Sequence, residues 1–197
     1  MKIILASQSQ RRREIFDRLK VPYTAYSTEA DENVIFESPE KTVMDLALRK
    51  AAYAKNAFQD DKNMIIAADT LVYCGEQLLG KPKDEKDAED MLKTLSGNSH
   101  EVYTGVCVMY GKGKTVFYEK SIVRFRKIDN DEIREYIKTG ESMDKAGAYG
   151  IQNLGEIFVE GIEGDYFNIV GLPVESLFEH IKKEFGMSFF DVLKSAE

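Results

Sequence analysis

Lys2-Ile-Ile-Leu-Ala-Ser-Gln-Ser-Gln-Arg-Arg-Arg-Glu14 is the stretch from which the fold is read. Ile3 to Ala6 form an apolar run of strand length that stops at Ser7. Ile15, Phe16 and Leu19 follow at helical spacing, so a buried strand passes almost directly into an amphipathic helix. Ser7 with Gln10 has the form of a capping box and predicts a helix start near Ser7. Arg11, Arg12 and Arg13 then crowd the first turn, where the helix already presents its positive end and carboxylates would help. That crowding costs stability unless an anion shares the site. Free backbone N–H groups, hydroxyls and guanidinium forks at one turn suit a phosphate. The competing reading is a solvated basic face.

Composition narrows the partners. The 197 residues suffice for one domain with a full core or for two small lobes, and 43% hydrophobic with 31% charged content is ordinary for a globular chain. A formal net charge of -7 argues against a binder of nucleic acid polymers or anionic membranes, which needs an extended basic surface. The cations cluster locally instead, as for a small anion in one pocket. The run after Lys2 is too short for a secretory signal, and no apolar stretch has the length to span a bilayer. Cys74 and Cys107 fall in strand-like segments without metal-site spacing, which predicts buried thiols in a reduced, cytoplasmic protein. With two histidines, a multi-histidine metal site is excluded; a metal here would take carboxylate, water and substrate oxygens, the ligand set of Mg²⁺ or Mn²⁺.

Local signals place the remaining elements. Tyr23 to Ser27 reads as a strand, and Ser38-Pro39-Glu40 opens a helix to about Phe58 with Val43, Leu46, Ala47, Ala51 and Ala54 on its inner face. A second apolar run, Met64 to Ala68, is expected to end at Asp69-Thr70. A hairpin turns at Gly75-Glu76, a helix spans Asp84 to Leu95, and a long hairpin folds around Gly111-Lys112-Gly113. Asp129-x-x-Glu132 starts another helix, and Gly140 ends it. The glycine-rich run from Ala146 to Pro173 matches neither a dinucleotide fingerprint nor a P-loop. Helices interleaved with hairpins predict an α/β protein with a mixed sheet. Residues 1–197 are expected to form one domain of two lobes around a cleft, with a helical tail from about residue 174.

Several polar residues stand where chemistry is commonly done. Asp69 follows a hydrophobic strand, although a carboxylate of pKa near ~3.9 is a weak base unless burial or a metal assists it. Asp31 and Glu32 end another expected strand and are candidates to share a cation with Asp69. Lys81 sits in a Gly-x-Pro loop, and Gln152 offers a donor and an acceptor suited to a nucleobase edge, as does Thr70. Each also has an ordinary reading as a turn or surface residue. Together they suggest cleavage of a phosphate ester or anhydride, open among phosphatase, nucleotidyl transferase and pyrophosphohydrolase.

The longer strings are more specific. Leu5-Ala-Ser-Gln-Ser-Gln-Arg-Arg-Arg-Glu14, Ala67-Ala-Asp-Thr70, Gly80-Lys-Pro82, Leu95-Ser-Gly97 with His100, Tyr103-Thr-Gly-Val106, Asp144-Lys-Ala-Gly-Ala-Tyr-Gly-Ile-Gln152, and Gly164-Asp-Tyr166 with Val170-Gly-Leu-Pro173 resemble the Maf family of nucleoside triphosphate pyrophosphatases. The resemblance runs in order from residue 3 to about 180. It implies an inosine-triphosphatase-like architecture, often a homodimer, and hydrolysis between the α and β phosphates with a divalent cation. It places the general base on Asp69 and substrate choice on Arg11, Thr70 and Gln152. Phosphate contacts would fall on Ser7, Arg12, Lys50 and Lys81, and metal ligands on Glu32 and Asp69. The Ala-Asp-Thr and Gly-Ile-Gln forms are similar to the branch acting on dTTP and UTP rather than the 7-methyl-GTP branch. Gln10 departs from the proline usual before the paired arginines, without removing a charge. The alternative implied by the family is a nucleotide-binding regulator of septum formation and cell division with little turnover.

Overall fold

Ile3, Ile4, Leu5 and Ala6 are all buried, and the strand that ends at Leu5 is paired on both sides. The structure, a computed structural model, describes residues 1–31 and 38–195. In chain order its elements are β1 (Lys2–Leu5), α1 (Gln10–Arg18), β2 (Thr24–Ala25), α2 (Pro39–Ala57), β3 (Asn63–Cys74), β4 (Gln77–Leu79) and α3 (Glu85–Leu95). There follow β5 (Ser99–Tyr110), β6 (Gly113–Phe125), α4 (Asn130–Lys138), β7 (Val159–Glu163), α5 (Tyr166–Val170), α6 (Val174–Phe185) and α7 (Phe189–Ser195). Short 3₁₀ turns fill the segment between α4 and β7. The strands form a mixed sheet in the order β2-β1-β3-β5-β6-β7, with β4 paired to β3. The β1 pairings with β2 and β3 are parallel; β3–β4 and β6–β7 are antiparallel. The expected mixed sheet flanked by helices is the observed architecture.

The chain divides into two units. The first comprises Met1–Asp69, Thr104–Glu119 and Gly171–Glu197; the second comprises Thr70–Tyr103 and Lys120–Val170. Small side chains build the first unit: Ala47, Ala51 and Ala54 of α2 meet Ile4, Ala6, Ile65, Ala67 and Cys107. Alanines at one helical face let backbone approach backbone, and Gly105 of β5 completes that approach. A Cβ on Gly105 would lie 2.2 Å from the Val43 carbonyl oxygen. Burial pushes the Cys107 thiol up to about 12, so it is an inert part of this core. Leu177, Phe178 and Ile181 of α6 are buried. In the second unit aromatic rings do the packing. His100, Phe125 and Tyr149 meet edge to face at 4.7–5.3 Å between centroids, and His100 Nε2 pairs with the Tyr149 hydroxyl at 2.8 Å.

Two local expectations are corrected. The α1 cap is Ser9, whose Oγ accepts from Arg12 N, rather than Ser7. Ser7 stays with the strand end and accepts from Ser9 N at 3.1 Å. The second apolar run does not stop at Asp69-Thr70 either: β3 continues to Cys74, because Val72 and Tyr73 resume burial and Val72 pairs with Leu79 of β4. Among the described residues no helix is long and apolar enough to cross a membrane.

Candidate active site

Parallel pairing sets the geometry of the first unit. Leu5 is opposite Ile66, and Ala6 N donates to the Ile66 carbonyl at 2.8 Å, so Ser7 and Asp69 come just beyond the same end of that pairing. Open α/β sheets bind ligands outside the carboxyl ends of their parallel strands. Asp69 meets Lys50 of α2 there: Lys50 Nζ lies 2.5 Å from Asp69 Oδ1, and their side chains are only 13% and 14% exposed. Lys50 is thus not a surface lysine lying along α2. It holds the carboxylate in one orientation while leaving a fraction of both groups open to solvent.

At the start of α1, Arg12 is 8% exposed and already committed to the protein. Its Nε donates to the Gly171 carbonyl at 2.7 Å and its Nη1 to Ser7 Oγ at 3.2 Å. It anchors the turn as well as charging it. Arg11 and Arg13 are half-buried beside it, and the buried Nε–H of Arg13 has no acceptor, a donor that an anion would satisfy. Composition alone gave no reason to separate Arg13 from its neighbours; the orphaned donor does.

The second unit holds the other predicted residues. Thr70 is half-buried on β3. Lys81 is exposed in the loop after β4, where Pro82 is buried and fixes the backbone. Lys81, Lys83, Asp87 and Asp90 line a depression of about 310 Å³. Gln152 sits in the turn from Gly150 to Gly155, half-buried, and its Oε1 is buried without a hydrogen-bond partner. A buried acceptor left unmet costs about 1–3 kcal/mol, so it is suited to a donor brought by a ligand. Glu141, which sequence reasoning missed, binds the backbone of this turn.

The family described as Maf-like protein matches residues 2–184. This chain belongs to that family. A dTTP/UTP pyrophosphatase of Caldanaerobacter subterraneus subsp. tengcongensis is 46% identical over 191 residues, covering 96% of this chain and 92% of that protein. A dTTP/UTP pyrophosphatase of Clostridium botulinum is 50% identical over 182 residues, covering 90% and 96%. Among solved structures, the Staphylococcus aureus Ham1 protein aligns with a TM-score of 0.45 at 16% identity, covering 64% of this chain and 72% of that one.

In this Maf-like chain the pair Lys50–Asp69 and the pair Ser7–Arg12 are brought together as side chains in contact. The expected metal ligand Glu32 lies outside the described residues. Among the described residues, no three His, Cys, Asp or Glu side chains group as a metal cage. Asp69 as a single carboxylate nevertheless fits Mg²⁺ or Mn²⁺, which take one or two carboxylates and complete their shell with water and substrate phosphates. A partly shielded carboxylate, a lysine against it and an arginine-rich helix start can bind a polyphosphate and accept a proton beside it.

Proposed function

We propose that this Maf-like protein hydrolyses dTTP and UTP to the nucleoside monophosphate and pyrophosphate. The observation that carries the reading is the Lys50–Asp69 pair just beyond the paired ends of β1 and β3, beside a helix start holding three arginines. The names of the relatives supply the substrate class. In this scheme Asp69 takes a proton from the attacking water as the water oxygen bonds to the α phosphorus and the bond to the β-phosphate oxygen breaks. Lys50 orients Asp69 and offsets phosphate charge. The first turn of α1, with Arg11, Arg12 and Arg13, neutralises the charge that grows on departing pyrophosphate. Ser7 and Gly171 hold the Arg12 guanidinium in place for that task. A divalent cation bound at Asp69 would polarise the phosphate and acidify water. Lys81 is assigned to the phosphates, and Thr70 and Gln152 to the pyrimidine edge. The protein is expected to work as a cytoplasmic homodimer, which sedimentation of the purified chain checks for assembly.

The test is a panel of dTTP, UTP, dCTP, purine triphosphates and 7-methyl-GTP with Mg²⁺ or Mn²⁺, with pyrophosphate measured separately from orthophosphate. Pyrophosphate from dTTP and UTP above the others is the expected result. Binding without product would replace the enzyme with a nucleotide-binding regulator, and preference for 7-methyl-GTP would move the chain to the other branch.

A further inference from the structure

The turn that carries Gln152 is gripped from behind by one carboxylate. Glu141 follows Gly140, whose φ of 77° closes α4. Its Oε1 accepts from the Tyr136 hydroxyl at 2.9 Å and from Gly155 N–H at 3.2 Å, and its Oε2 accepts from Leu154 N–H at 3.2 Å. The Tyr136 hydroxyl accepts in turn from Gly150 N–H at 3.3 Å. Both ends of the turn are therefore tied to one Glu–Tyr pair. Burial first, then the Glu141 charge, raises the Tyr136 phenol, so Tyr136 stays a donor to Glu141 at working pH. Packing adds to the grip. A Cβ on Gly155 would lie 2.7 Å from the Gly150 carbonyl oxygen, and one on Gly150 would lie 2.7 Å from Lys145 Cε. Lys145, only 7% exposed, donates to the Glu141 carbonyl at 2.7 Å and to Asp144 Oδ1 at 2.6 Å.

Against this fixed backbone stands one unmet atom, Gln152 Oε1. Uracil and thymine present an N3–H donor, whereas cytosine presents an N3 acceptor. With the turn in place Gln152 Oε1 is the buried end of the amide, an acceptor that suits the first two and opposes cytosine; a loosened turn no longer buries that end and lets the NH₂ face cytosine instead. We propose that Glu141 is a positioning residue for base selection, fixing the Gly150–Gly155 turn so that Gln152 meets the base as an acceptor. The proposal rests on the reading of Gln152 as a base contact.

The measurement is kcat/KM for UTP over CTP in the parent, Glu141→Gln, Tyr136→Phe, Gln152→Ala and the double variant Glu141→Gln/Gln152→Ala. In Glu141→Gln the amide retains one acceptor but sets its NH₂ against backbone donors. The UTP/CTP ratio should fall about tenfold, the worth of one hydrogen bond, and the change should enter through KM more than kcat. The double variant should discriminate no worse than Gln152→Ala alone, because both lose the same contact. A parental ratio in Glu141→Gln, with the ratio lost in Gln152→Ala, overturns the positioning role while keeping Gln152 as the base contact. A parental ratio in Gln152→Ala overturns that reading and the proposal with it. Should Glu141→Gln fail to fold, Tyr136→Phe, which removes a single oxygen from the same network, decides on the same ratio.

Discussion

Asp69 and Lys50 illustrate how one contact divides two otherwise ordinary residues from the surface. Asp69→Asn removes the proposed proton acceptor but keeps the shape, and turnover should fall by about 10² or more. Pyrophosphate release and a melting curve on the same preparation check it: parental turnover removes Asp69 from the mechanism. His100 carries a different signal. Burial lowers its pKa to about 4, against 6.5 when unfolded. The unfolded chain therefore binds the extra proton first, and stability falls as pH drops from about 6.5 towards 4, by about 2 kcal/mol at pH 5 relative to pH 7. Urea titrations at the two pH values should show that loss, and His100→Gln, which takes no proton, should flatten it. At this scale the sequence was informative about residue types and silent about pairing. Lys50 and Asp69 are nineteen positions apart, and no local pattern ties them; the family likeness named each, Lys50 for phosphate and Asp69 as base, without pairing them. Gln152 was named that way too, whereas Glu141 looked like any carboxylate after a helix-ending glycine.

Elements were more legible, because caps and turns act over a few residues. Ser38 with Pro39 starts α2, and Asp129 with Glu132 forms a reciprocal cap on α4, as their order in the chain predicts. The errors came where short-range rules compete. Ser9 lies two residues after Ser7 and takes the cap, since Ser7 is drawn back to the strand end and to Arg12. β3 passes through Asp69-Thr70 because the apolar residues beyond them find β4. The closeness of α2 to β5 was likewise hidden, since it depends on alanines and a glycine from distant segments. Gly105→Ala drives a methyl group into the α2 backbone and should cost about 3 kcal/mol or more. Because Lys50 rides on α2, activity should fall along with stability. Denaturant midpoints and kcat measured together test this, and an unchanged midpoint would mean that α2 yields without cost.

For the molecule as a whole, a net charge of -7 opposes polyanionic chains in general, whereas the basic start of α1 offers a small anion a local site under the proposed function. Metal dependence should follow the same separation. A chelator should stop turnover, added Mg²⁺ should restore it, and the melting temperature should barely change, because a cation held by one or two carboxylates and completed by water and substrate phosphates does not staple the fold. A large drop in melting temperature on chelation would instead reveal a structural metal. The arginine that anchors the start of α1 also sets a schedule for biosynthesis. Arg12 leaves the ribosome well before the residue whose carbonyl fixes it, Gly171, 159 positions later. Until that distant segment has been made, the nascent chain carries its cluster of arginines without the bond that aims one of them, so the start of α1 reaches its final form only after Gly171 has been added.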